Sequence, residues 1–223
     1  MAKPLPGLKP GLIVGGLVPG VAILVLAARG ALAADPIAEA LNRLGLLALV
    51  FLVASLACTP LKAIFGWTWP IRVRRTLGLF SFGYACAHFL TYAWVDQQLN
   101  LGAIVEDIAE RKFILVGFLA FVLLIPLAVT STKGWVRRLG FARWQRVHRL
   151  VYAAVLLALL HFVWRVKIDV TEPAIYAAIV ALLFAVRLFT AARKRVANGP
   201  GARRHQVPSS SAPASLPRSD PQR

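Results

Sequence analysis

Six apolar runs decide what this chain can fold into: Leu12–Ala28, Leu44–Pro60, Thr76–Trp94, Phe113–Thr130, Val147–Trp164 and Ala174–Phe189. Coiled at about 1.5 Å per residue, each is close to the length that crosses ~30 Å of hydrocarbon. Lipid offers no partner to an unpaired backbone group, so such runs span as helices. The predicted fold class is an all-α integral membrane protein, a six-transmembrane-helix bundle. Of 223 residues, 58% are hydrophobic and only 16% charged, where a soluble domain has roughly a quarter charged. Ala31-Leu32-Ala33 resembles a signal-peptide cleavage site. The preceding basic region is only Lys3 and Lys9, and five further runs follow, so the first run is kept as a membrane helix.

A net charge of +17 in a soluble protein would suggest nucleic acid. Here the cations alternate with topology. Lys62, Arg72, Arg74 and Arg75 lie between runs two and three. Lys133, Arg137, Arg138, Arg143 and Arg146 lie between four and five, and Arg193, Lys194, Arg195, Arg203 and Arg204 follow run six. The other loops carry acids: Asp35 and Glu39; Asp96, Glu106, Asp107 and Glu110; Asp169 and Glu172. The positive-inside rule puts the basic loops and both termini in the cytoplasm. Membrane lipid is the expected partner of the arginines, and no nucleic acid is called for. The expected organisation is a cytoplasmic N-terminus over 1–11, a transmembrane domain over 12–194, and a disordered basic cytoplasmic tail over 195–223, too poor in large apolar residues to fold.

Punctuation adds detail. Pro60 and Pro70 bracket the second loop, Pro126 should kink run four, and Pro173 fits an N1 position before run six. Gly78 and Gly83 allow close approach of another backbone or of a flat cofactor. A short surface helix is expected around Ile104–Arg111. Cys58 and Cys86 read as small buried apolar residues.

Three histidines carry the chemistry. An imidazole in hydrocarbon needs a partner, and imidazole is the commonest protein ligand for haem iron. His88 is about 18 Å from the cytoplasmic end of run three, and His161 about 21 Å along run five. They are thus level on two parallel helices, as two axial ligands of one haem must be. The alternative is a pair of structural hydrogen bonds to neighbouring carbonyls. His148 lies at the cytoplasmic edge of run five, about 220° around the helix from His161, and at its depth run three offers only Arg74 and Arg75. It is either structural or a ligand of a possible second haem. Arg74, Arg75 and Arg149 are topology anchors or, alternatively, anion-binding groups for haem propionates or a flavin phosphate. Trp94, Trp135, Trp144, Tyr152 and Trp164 suit an interfacial belt. No catalytic triad, acidic pair or nucleotide loop appears, so no catalytic residue is assigned and any chemistry is the cofactor's.

Arg74-Arg75-Thr76-Leu77-Gly78-Leu79 with Ala85-Cys86-Ala87-His88-Phe89 resembles the third helix of the ferric-reductase-like transmembrane superfamily. Trp144-Gln145-Arg146-Val147-His148-Arg149-Leu150-Val151-Tyr152, continuing to Leu160-His161-Phe162-Val163-Trp164, resembles its fifth. Thr59-Pro60-Leu61 and Thr130-Ser131 narrow the likeness to the MsrQ family. The resemblance covers about Leu12 to Lys194. It implies haem b on His88 and His161, with FMN also associated, and electrons taken from a cytoplasmic flavin reductase or the quinone pool. They would pass to a periplasmic molybdenum methionine-sulfoxide reductase, MsrP, with Glu106–Glu110 as a candidate docking surface. The superfamily has two histidines on each of the two helices; here arginine stands at the inner position of run three. Other members continue into a soluble flavin and nicotinamide domain, which this chain is expected to lack. It is then an electron-transfer subunit rather than the catalytic one. The alternatives are a quinol-linked cytochrome b subunit for another periplasmic reductase, or a non-redox membrane scaffold or transport subunit.

Overall fold

The computed structural model describes residues 7–166 and 169–197, with side chains to Arg193. The expected tail from residue 198 on, with Arg203, Arg204 and His205, lies outside the described residues, as do residues 1–6. The chain divides into compact units 1–187 and 188–223. In the second, the Arg193 guanidinium lies 4.7 Å over the Phe189 ring.

Among the described residues nine α-helices and one π-helical segment follow one another: α1 (Leu8–Ala28), α2 (Pro36–Phe65), α3 (Trp69–Leu90), the π segment (Thr91–Asp96), α4 (Leu101–Glu110), α5 (Lys112–Val129), α6 (Lys133–Leu139), α7 (Phe141–His148), α8 (Leu150–Arg165) and α9 (Thr171–Ala197). Five stretches among the described residues are long and apolar enough to cross a membrane: α1, α2, α5, α7 with α8, and α9. The third expected span does form a helix. Arg72, Arg74 and Arg75 occupy the first turns of α3, however, and shorten its apolar part. Large apolar side chains face outward along the spans, Leu24 at 70% and Leu182 at 65% exposure, as lipid contact requires.

Local chemistry sets the ends. Asp35 caps α2 by accepting from the Ala38 N–H at 2.9 Å, and Pro36 fills the first turn, where its missing donor costs nothing. α2 then runs through Pro60, so the second loop is shorter than expected, and it stops at Gly66 with φ +70°. Asn100 caps the amphipathic α4, its side chain accepting from Ala103. Pro173 sits two residues inside α9 rather than at its first position; the first-turn N–H groups have no intrahelical partner in any case. Asp169 accepts from the Thr171 N–H at 2.9 Å, and the Thr171 hydroxyl and N–H hold its carboxyl below the usual carboxylate range.

The main core joins four helices: Leu52 and Leu56 of α2, Leu124 of α5, Val155 and Leu159 of α8, and Val180 of α9. Between α2 and α3 the Ser81 hydroxyl donates to the Ala48 carbonyl at 2.9 Å, and Ser55 to that of Arg74 at 3.1 Å. Small hydroxyls of this kind hold membrane helices at close quarters. Gly78 faces Ser55 of α2, the close helix approach that was one of its two alternatives, and a Cβ on Gly83 would meet nothing within 4 Å.

Tyr84 pins α1 to α3. Its hydroxyl accepts from the Gly20 N–H at 3.0 Å and donates to the Gly16 carbonyl at 2.5 Å. Those groups are the two ends of one i→i−4 step, so the phenol bridges a rung of the α1 ladder. Tyr84→Phe removes both bonds. At about 1 kcal/mol per bond the variant should melt in detergent lower by roughly 4–8 °C, with unchanged helix content by circular dichroism. An unchanged melting temperature would show the bridge to be energetically idle.

Candidate functional site

The histidines expected to pair do meet. His88 of α3 and His161 of α8 lie with ring centroids 6.2 Å apart and planes at 80°. Both face a cavity of about 360 Å³ enclosed by α2, α3, α5 and α8. Two imidazoles gripping one ion from opposite sides have centroids about 6.3 Å apart, counting about 2.0 Å per metal–nitrogen bond and about 1.15 Å from nitrogen to ring centre. The observed separation matches.

Each ring is aimed by a carbonyl on a different helix. His88 Nδ1 lies 2.9 Å from the Leu41 carbonyl of α2, and His161 Nδ1 2.7 Å from the Phe113 carbonyl of α5. A carbonyl only accepts, so Nδ1 carries the proton and donates. That leaves each Nε2 with its lone pair, the form that ligates metal. The Leu41 carbonyl lies in the second turn of α2, which Asp35 caps, and the Phe113 carbonyl in the first turn of α5, just after α4 with its Asp107. The pair therefore sits toward the acid-bearing end of the bundle.

Two glycines make room for the rings. A Cβ on Gly45 would stand 3.2 Å from His88 Nδ1; on Gly117 it would stand 2.6 Å from His161 Nδ1. Neither position was legible as functional, since a glycine in an apolar helix ordinarily signals helix packing. The oriented carbonyls were not legible either, because backbone groups carry no sequence signature.

The cavity is apolar in its depth, with Leu49, Leu52, Ala85 and Leu124, and polar at its mouth, with Asn42, Tyr92, Asp107, Arg111 and Arg165. Asp107 joins the mouth to α4: it accepts from the Tyr92 hydroxyl at 3.1 Å and pairs with Arg111 Nε at 3.0 Å. Among the described residues, no three His, Cys, Asp or Glu side chains gather as metal ligands. An ion between the two imidazoles would need its other ligands from a bound group such as a planar macrocycle. The residues present fit a haem.

His148 stands elsewhere. It ends α7, thirteen residues and about 20 Å of helical rise before His161, with its ring centroid 4.0 Å from that of Trp144 and Nδ1 3.2 Å from the Trp144 carbonyl. Trp144 in turn donates its indole N–H to the Thr130 carbonyl at 2.9 Å. Arg74 is half-buried and close enough to act on the charge of His148. Arg75 and Arg149 are exposed. None of the three arginines lines the cavity of the histidine pair.

Residues 40–159 match the family described as ferric reductase like transmembrane component; the match includes His88 and His148 and stops just short of His161. A Rhodospirillum rubrum protein named protein-methionine-sulfoxide reductase heme-binding subunit MsrQ is 52% identical over 74% of this chain and 80% of its own length. Proteins of the same name from Deinococcus radiodurans and Herminiimonas arsenicoxydans are 48% and 45% identical, over 85% and 86% of this chain and 94% and 88% of their own. No solved structure matches.

Proposed function

The chain belongs to the ferric-reductase-like transmembrane family and, within it, to the MsrQ heme-binding subunits, and from that membership we propose that it carries electrons across a bacterial inner membrane to a periplasmic methionine-sulfoxide reductase of the MsrP kind. The observation that carries this is the 6.2 Å imidazole pair with both Nδ1 atoms tied to carbonyls. Haem b, when bound, supplies one-electron redox chemistry. His88 and His161 would hold it, the Leu41 and Phe113 carbonyls fix the protons on Nδ1 and so leave each Nε2 lone pair free to ligate, and the apolar wall of α2 and α5 would exclude water. With the basic loops and both termini cytoplasmic, the pair lies in the periplasmic half. Its mouth then opens toward the partner, near the acids of α4.

Electrons arrive on the opposite side, from a cytoplasmic flavin reductase or from quinol. Trp144, His148 and Arg74 stand at that end, and FMN association belongs there too. The chain is the electron-transferring subunit; reduction of the sulfoxide takes place on the partner.

The test uses the purified chain, reduced chemically and followed at its Soret band. Re-oxidation should require both an MsrP-type molybdenum enzyme and a methionine-sulfoxide peptide. Re-oxidation by neither alone nor together would overturn the proposed direction of transfer, and absence of any Soret band would overturn the haem assignment.

A further inference from the structure

One turn beyond His161, Arg165 ends α8 at the polar mouth of the same cavity. Its guanidinium donates to the side-chain oxygen of Asn42 on α2. Its stem lies along Phe162, with the charge 5.6 Å from that ring. It is close enough to act on the charge of both His88 and His161. The other cation at the mouth, Arg111, is already paired with Asp107. Arg165 is not: Glu172 acts on it only through space, and among the described residues no carboxylate comes within ion-pair distance of it. A half-withdrawn cation facing only a neutral amide is poorly compensated. The planar fork of arginine is shaped to take a carboxylate in two parallel hydrogen bonds.

The tetrapyrrole that the imidazole pair fits is apolar except for carboxylates on one edge. The cavity has the matching asymmetry, apolar in depth and polar at the mouth, where Asp96 and Asp107 also stand and Arg111 is paired with Asp107, leaving Arg165 as the cation placed to take a carboxylate. We propose that Arg165, steadied by Asn42, receives a carboxylate of the haem held between His88 and His161, and that its charge raises the reduction potential of the iron. This rests on the haem assignment above. Two consequences follow from the geometry. The macrocycle can enter in one sense only, carboxylate edge toward the acid-bearing end. The oxidised iron, with one more positive charge than the reduced, is disfavoured by the fixed guanidinium beside it.

The experiment compares the full wild-type chain with R165Q and R165K, each purified with haem. Two quantities are read: the midpoint potential from redox titration of the Soret band, and the rate of haem transfer to excess apomyoglobin. R165Q should keep the six-coordinate spectrum, titrate at a lower potential and release haem ~10-fold faster, the loss of one charge-assisted hydrogen bond. R165K should restore the potential. Wild-type chain loaded with haem dimethyl ester, which has no free carboxylate, should release it as fast as R165Q releases haem, and R165Q should release the ester no faster than wild type does. R165Q matching wild type in both quantities would sink the inference, as would R165Q still accelerating release of the ester. Either result leaves the bis-imidazole haem standing. A wild-type chain that holds no haem fails at the earlier step, and both ideas fall together.

Discussion

Purified His88→Ala and His161→Ala proteins should show no Soret band, while His148→Ala should keep most of it. Removing a group that merely orients a metal ligand typically costs 10–100-fold in affinity, so losing a ligand outright should cost at least ~100-fold. Each histidine is also held by its own carbonyl, so neither can lean across to replace the other. His148 lies against Trp144 at the end of α7 and does not line the cavity. The measurement is haem per chain, by pyridine haemochrome against protein concentration. Membrane insertion is read separately, so that an unfolded variant is not mistaken for an empty one. Full haem content in His88→Ala would refute the site.

Gly117→Ala should be almost as damaging, although Gly117 supplies no ligand. The added methyl would stand 2.6 Å from His161 Nδ1, where ordinary contact begins near 3.4 Å. The ring would have to retreat by about 0.8 Å, against a tolerance of roughly 0.2 Å in metal–ligand distance. It cannot retreat freely, because its Nδ1 is tied to Phe113 on the same helix as the glycine. At Gly45 the same substitution meets His88 at 3.2 Å. That shortfall of about 0.2 Å is within the metal-site tolerance. Gly45→Ala should therefore retain most of its haem and Gly117→Ala very little. Equal retention in the two variants would show that the rings are not confined as described.

What could be read from the residues depended on whether the signal was periodic or singular. Apolar runs announce helices by length, and the six runs correspond to helices in the structure. Their ends were less legible: Pro60 falls inside α2, because a membrane helix can keep a proline where neighbours re-satisfy the freed carbonyl. The level placement of His88 and His161 came from counting rise along two helices, and the rings do come together. Arg165 was within reach of the same arithmetic, four residues after His161 and so on the same face, but it resembles one more cation at a helix end. Gly45 and Gly117 matter through contacts between helices distant in sequence, and no local pattern carries that information. Gly78 and Gly83 stand out in sequence as small residues five apart, yet it is Gly45 and Gly117, on other helices, that lie against the histidine rings.

The two most extensive helix pairings are α2 with α3 and α5 with α8. Each contains one complete half of the site, since the carbonyl that aims His88 is on α2 and the carbonyl that aims His161 is on α5. Contacts between the two pairs are far sparser. The bundle is thus divided like a buckle, with one imidazole prepared on each side and the cofactor as the pin. If the proposed haem binds there, its binding and closure of the bundle would be a single thermodynamic event, and a cell short of haem would accumulate an unfastened subunit, open along this seam to degradation.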